Sequence, residues 1–323
     1  MSSSKEHQRQ FEVNDDPPLY DADARDPGDF PDAVITDCRS YQADIQHQDG
    51  SVVKYEIVVP YRDSISAPPS NGLGNSDMKV VAGASSARES ADYAYLQTSE
   101  ISQAIYGAVY RGLLLKRTST SDGSVQWTTT DKRVAIKRLD YDRVMRDESE
   151  GKSSERPMEE IKIMQYLQRH IASVGDHTLD EELTGEAIWA RAEYGIREHN
   201  IMTSVDILTD NQYLYIVMPF CDGKELFDVI QEQKVSEAEA RHYFKQILKA
   251  IETLQESGVC HRDISLDNIM VSSSGIITLI EFGMSLKIPY IINKNGNRQR
   301  CMIRPGRACG KVRKECVIGF SIV

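Results

Sequence analysis

The stretch GVCHRDISLDNIMVSSSGIITLIEFG, Gly258 to Gly283, decides how this chain is read. It begins where an amphipathic helix ends. In SEAEARHYFKQILKAIETLQES, residues 236–257, the apolar Phe244, Ile247, Leu248, Ile251 and Leu254 recur three and four apart. Ser236 stands at the N-cap, Glu239 at the capping-box position, and Gly258 stops the helix. A short polar loop follows, with a carboxylate at Asp263 and an amide at Asn268. The apolar run IITLI (Ile276 to Ile280) then reads as a buried strand and leads directly into Glu281, Phe282 and Gly283.

Working outward, LTDNQYLYIVMPF (208–220) reads as a strand and PMEEIKIMQYLQRH (157–170) as a helix by its apolar spacing. AIYGAVYRGLLL (104–115) and QWTTTDKRVAIKRLD (126–140) read as paired strands, the second carrying VAIK at Val134 to Lys137. Strands first and helices afterwards predict a β-rich lobe joined to a helical one.

VAIK, HRDISLDN and EFG, in that order, resemble a eukaryotic protein kinase domain of the Ser/Thr type, over roughly residues 97–311. The resemblance implies an α+β, two-lobed fold, with a β-rich N-lobe of the five-stranded type and an incomplete helical C-lobe. It implies ATP-dependent phosphoryl transfer to protein Ser/Thr hydroxyls, with Mg2+, a chemistry that asks the protein for positioning and charge neutralisation. By that likeness Lys137 meets the α- and β-phosphates and Glu160 fixes its ammonium, with Glu159 as the fallback. Asp263 is the catalytic base, and Asn268 and Glu281 are the metal ligands. His261 packs beneath Phe282. Gly107 belongs to the phosphate loop; Val109, Ala135 and Met270 sandwich the adenine. Met218 is the gatekeeper, Cys221 lies in the hinge with Pro219 and Phe220, and Glu225 meets the ribose.

Several positions depart from the family pattern. Ser102 and Ala104 replace two phosphate-loop glycines and leave Gly107, so the clamp is weakened. Ser265 and Asp267 stand where a cation normally offsets phosphate charge. Glu281 replaces the metal aspartate, although its spacing from the base, 281 − 263 = 18, is that of the family. Its extra methylene displaces the carboxylate by about 1.5 Å, and Mg2+ demands near-ideal octahedral geometry. Past Cys309–Gly310–Lys311 the expected aromatic and Pro-Glu signature gives way to VRKECVIGFSIV. A shifted reading frame or a retained intron is the expected origin of that break, with a genuinely short protein as the alternative. The helix at 236–257 is then expected to expose its whole apolar stripe, leaving the chain aggregation-prone or dependent on a protein partner that covers the helical lobe. Two alternatives to an active kinase stay open: a pseudokinase acting as a nucleotide-binding or scaffolding module, and a truncated, non-functional gene product.

The rest of the 323 residues sets outer limits. Residues 1–32 are polar and acidic and are expected to be disordered. Residues 33–61 form a β-hairpin of open membership, 62–96 a Ser/Gly/Pro/Ala-rich linker, 97–311 the kinase-like domain, and 312–323 an aberrant tail. With 38 Lys+Arg against 49 Asp+Glu the net charge is −11, which disfavours wholesale nucleic-acid binding. The basic run Arg298, Arg300, Arg304, Arg307, Lys311, Arg313 and Lys314 reads as an activation loop without its partner lobe, with contact to nucleic acid or acidic lipid as the alternative. No signal peptide or membrane-length apolar run is seen, so a cytoplasmic location is expected. The six cysteines read as reduced thiols, and Cys301, Cys309 and Cys316 lack structural-zinc spacing.

Overall fold

The computed structural model describes residues 19–21, 30–46, 49–61, 90–119, 125–151, 156–174, 184–232, 235–288, 290–292, 298–300 and 302–304. The expected linker from 62 to 89, the Cys309–Gly310–Lys311 anchor, the tail, and Cys301 and Cys316 lie outside the described residues. The chain divides into two units. The smaller joins Met1–Asp29 with Lys287–Val323; in it β1 (Leu19–Asp21) runs parallel to β16 (Met302–Arg304), and β14 (Tyr290–Ile292) antiparallel to β15 (Arg298–Arg300).

The larger unit, Phe30–Leu286, holds the candidate site residues. Its strands β2 (Thr36–Gln46), β3 (Val52–Pro60), β4 (Tyr93–Ala104), β5 (Gly107–Ser119), β6 (Val125–Asp140), β7 (Asp206–Thr209) and β8 (Tyr213–Pro219) close into a barrel in the order β2-β3-β4-β5-β6-β8-β7. Seven strands replace the five expected. The reason is edge protection: the hairpin pairs β3 antiparallel with β4, and β2 parallel with β7 at Thr36↔Leu208 and Asp37↔Thr209, so neither β4 nor β7 is left as an open edge. Strand β4 begins at Tyr93, inside the expected linker, and Tyr93 and Tyr95 are buried.

Alternation along β6 sorts its side chains. Val134 and Ile136 join Val58, Tyr95, Leu114, Tyr215 and Val217 in the cluster that fills the barrel. Leu139 points outward into a second cluster with Ile161, Ile163, Met164 and Leu167 of α2 (Pro157–Val174). Arg138 faces the same way as Ile136. It makes an ion pair and a short hydrogen bond to Glu56 of β3, and its guanidinium lies 4.7 Å and 4.8 Å from the ring centroids of Tyr110 and Tyr213. The hairpin is therefore bound to the strand that carries Lys137.

The stretch 208–220, expected as one strand, is the hairpin β7–β8. Asn211 takes φ 71°, and Asp210 Oδ1 accepts from the backbone N–H groups of Gln212 and Tyr213 at 3.1 and 2.8 Å. That side-chain-supported turn interrupts the ladder. Helix α1 (Tyr141–Ser149) follows β6. Helix α3 (Gly185–His199) is capped by Thr184 and stopped by left-handed Asn200, and it sends Ile188, Trp189 and Ala192 into the barrel cluster.

The helical part contains β9 (Lys224–Glu225), α4 (Leu226–Glu232), α5 (Glu237–Ser257), β10 (Val259–Cys260), β11 (Ile269–Val271) and β12 (Ile277–Leu279); β13 (Leu286–Lys287) lies at the boundary of the units. Helix α5 has the expected capping box, with Gly258 left-handed at φ 69°. The expectation that its whole apolar stripe is exposed is corrected. Phe244 and Leu248 are exposed, but Leu254 is buried and Ile247 packs on the core, because α2 lies against this helix and Tyr166 OH donates to Ser257 O at 2.9 Å. Among the described residues no helix is long and apolar enough to cross a membrane.

Strands β12, β11 and β9 form a small antiparallel sheet, and Gly223 just before β9 lies so close to it that a Cβ there would stand 1.5 Å from Val271 O. Gly223→Ala must push β9 and β11 apart. The expected loss is about 1–3 kcal/mol, seen as a lower denaturant midpoint at unchanged slope; an unchanged midpoint would show that the contact is not close-packed.

Candidate functional site

Strand β6 presents Ala135 and Lys137 on the outer wall of the barrel, two residues apart and so on one face. In register, Val109 of β5 lies opposite Lys137, and Met218 of β8 opposite Ala135. Val109, Ala135 and Met218 are half-buried. Gly107 opens β5 opposite Leu139, where a Cβ would meet Arg138 O at 2.0 Å, so only glycine fits this register. Between Ala104 and Gly107 the turn buries Tyr106, whose carbonyl accepts from Asp140 N–H at 2.9 Å.

Helix α2 brings Glu160 to Lys137. The Nζ–Oε2 distance is 2.9 Å, and both residues are only 6 % exposed. Glu159, the fallback partner, turns instead to Lys162 on its own helix at 3.2 Å. Lys137 Nζ also lies 3.7 Å from Oε2 of Glu281, whose side chain is 49 % exposed. One ammonium thus stands between a buried carboxylate and a half-exposed one.

The polar loop after α5 is held from within. His261 is buried; its Nε2–H donates to Ile280 O at 3.0 Å, and its Nδ1 accepts from Asp263 N–H at 3.3 Å. Burial keeps the imidazole below the ordinary histidine range, so it stays neutral in the tautomer these bonds require. Its ring meets Phe282 edge-on at 5.0 Å and 67°. Glu281 takes the left-handed φ of 63°, which costs a non-glycine residue about 1–3 kcal/mol. That turn lets Phe282, 1 % exposed, enter the core while Glu281 stays on the Lys137 side.

Asn268 Nδ2 donates to both the carbonyl and Oδ2 of Asp263, at 2.8 and 2.9 Å, and Ile280 N–H donates to Asn268 O at 3.0 Å. The Asp263 side chain is exposed. With its NH2 group so engaged, Asn268 keeps Oδ1 as an acceptor. An amide oxygen and a carboxylate, that of Glu281, are the kinds of oxygen ligand that Mg2+ takes. Among the described residues no group of three or more His, Cys, Asp or Glu is placed to hold a metal.

After β8 the chain runs through Cys221 to Glu225, which lies opposite Met270 of β11. Burial pushes the Cys221 thiol up to about 11, so it is protonated at neutral pH. Burial, and then the charges of Asp228 and Asp267, push the Glu225 carboxyl above its usual range. The sequence reading had no signal for the Arg138–Glu56 pair, because its partners lie 82 residues apart on strands of different hairpins.

Residues 185–299 match the protein kinase domain family. The chain is 45 % identical over 92 residues to the hormonally up-regulated neu tumor-associated kinase of Mus musculus, covering 28 % of this chain and 13 % of that protein. It is 33 % identical over 91 residues to CBL-interacting serine/threonine-protein kinase 9 of Arabidopsis thaliana, covering 28 % and 20 %. It is 35 % identical over 96 residues to the nitrogen permease reactivator protein of Saccharomyces cerevisiae, covering 30 % and 12 %. The matched stretch therefore spans no more than a fifth of each of these three relatives. The family match starts at α3, downstream of Lys137 and Glu160.

The buried ion pair generates a stability prediction. Lys137→Met leaves Glu160 in the interior without this cation, at a cost of about 3–5 kcal/mol. Lys137→Met combined with Glu160→Met removes both charges and is expected to recover most of that loss. Thermal and denaturant unfolding of the two variants check it; a double variant as unstable as the single one would contradict the account.

Proposed function

We propose that this chain, of which residues 185–299 match the protein kinase domain family, transfers the γ-phosphoryl group of ATP to Ser or Thr hydroxyls of a protein, with turnover held down by Glu281. The observation that carries this reading is the convergence of three distant segments. Lys137 on β6, Glu160 on α2 and Glu281 after β12 meet around one ammonium.

In this reading Glu160 holds the Lys137 ammonium so that it meets the phosphates without first losing side-chain entropy. Asp263 accepts the proton of the incoming hydroxyl, its carboxylate oriented by Asn268. Val109, Ala135, Met218 and Met270 supply the apolar faces for adenine. The backbone around Cys221 supplies hydrogen-bonding groups for its edge, and Glu225 meets the ribose. Asn268 Oδ1 and Glu281 would hold Mg2+, which, when bound, neutralises phosphate charge. Ser265 and Asp267 add no cation of their own beside the Lys137 ammonium.

Glu281, Ser102 and Ala104 favour the second reading, a pseudokinase that binds nucleotide without transferring phosphate. A transfer assay on a generic Ser/Thr peptide, with ATP and adenosine titrations with and without Mg2+, separates the two. For a kinase, weak transfer is abolished by Asp263→Ala and raised on the order of 10²-fold by Glu281→Asp, which restores the shorter ligand. Transfer unaffected by Asp263→Ala would sink the assignment. Nucleotide binding with no transfer even in Glu281→Asp would establish the pseudokinase. Because two loop glycines are replaced, ATP is expected to bind at most about tenfold tighter than adenosine, a difference of about 1.4 kcal/mol.

A further inference from the structure

Ahead of the barrel, residues 30–35 lie along α2. The Phe30 ring meets Tyr166 edge-on, with centroids 5.3 Å apart at 72°. Gln165 clamps the backbone of Val34 from both sides: Val34 N–H donates to Oε1 at 3.0 Å, and Nε2 donates to Val34 O at 2.6 Å. Phe30, Ala33 and Ile35 pack against the cluster that contains Ile161, Met164 and Leu167 of the same helix. The chain then enters the barrel seam at Thr36 and Asp37. Phe30 falls within the segment expected to be disordered; an aromatic ring with a ring to pack on explains the correction.

We propose that residues 30–35 are a built-in strap that seats α2, and that Gln165 and Phe30 are positioning residues acting through Glu160 on Lys137. A side-chain amide offers one acceptor and one donor, so Gln165 satisfies both backbone groups of Val34 as a neighbouring strand would. Glu160 and Gln165 are five residues apart on a helix of 3.6 residues per turn, so they project from different sides of α2. The strap holds one side, and Glu160 reaches β6 from the other. Tyr166, against Phe30, also reaches α5 through Ser257 O, so the strap, α2 and α5 are joined at one place. The seam pairing of β2 with β7 at Thr36 and Asp37 fixes where the strap ends, so barrel closure anchors that end beside α2.

The consequence for ATP rests on the reading of Lys137 and Glu160 as the phosphate-positioning pair. The test uses no nucleotide, so the two fail separately. In the full chain, the mutual stabilisation of Lys137 and Glu160 is measured by a double-mutant cycle with Lys137→Met and Glu160→Met. The cycle is run in the unaltered background and again with Gln165→Ala or Phe30→Ala. If the strap positions α2, the coupling falls about tenfold in each strap variant. If the strap only adds general stability, every member of the cycle loses stability equally and the coupling is unchanged, which overturns the proposal. Should a strap variant fail to fold, amide hydrogen exchange on the unaltered chain decides. Joint opening of residues 33–35 and α2 supports the strap; free exchange of 33–35 beside a protected α2 refutes it.

Discussion

An ammonium and a carboxylate, each only 6 % exposed, face one another at 2.9 Å, and much of the larger unit serves to keep them there. Removing a charge from water costs several kcal/mol per ion, repaid only when the partner is held in good geometry. Lys137 is fixed by the ladder of β6 with β5 and β8. Glu160 is on a helix, and a helix has no ladder. Its seat comes from packing: Ile161, Ile163, Met164 and Leu167 on the core side, and Tyr166 and Gln165 bonded to α5 and to residues 30–35.

Barrel closure bears on the same pair from the opposite side of the sheet. The interior residues of β6 pack under β3, and Arg138, adjacent in sequence to Lys137, is gripped by Glu56 and by two tyrosine rings. An open sheet would leave that face and both edge strands to solvent. Here the hairpin covers them, so the lysine strand is supported on both faces.

The polar loop is coupled to the barrel through residues 199–204. His199 bonds Thr253, Asn200 Nδ2 donates to Ile277 O, and Met202 N–H and Leu279 N–H exchange bonds with Leu279 O and Asn200 O. Strand β12 is thereby pinned two residues before Glu281. The left-handed turn at Glu281 is sustained because Phe282 is buried against His261 on one side and β12 is fixed on the other. Strain of this kind persists only where the surroundings over-determine the backbone.

The sequence by itself determined the helices at 157–170 and 236–257 and the order of the chemistry. The 3.6-residue period, the capping box at Ser236 and the glycine stop at Gly258 are local, and a helix closes its hydrogen bonds within itself. The motifs around Lys137, Asp263 and Glu281 were legible because their spacing is carried along the chain. Only the tertiary structure decided that residues 33–61 complete a barrel, that 208–220 folds back on itself, that Leu254 is buried, and that Gln165 meets Val34. Strand partners and helix seats depend on contacts between residues far apart in the chain, 131 positions for Gln165 and Val34. Local pattern says that a hairpin has an apolar face; which edge it closes depends on where the other strands leave one open.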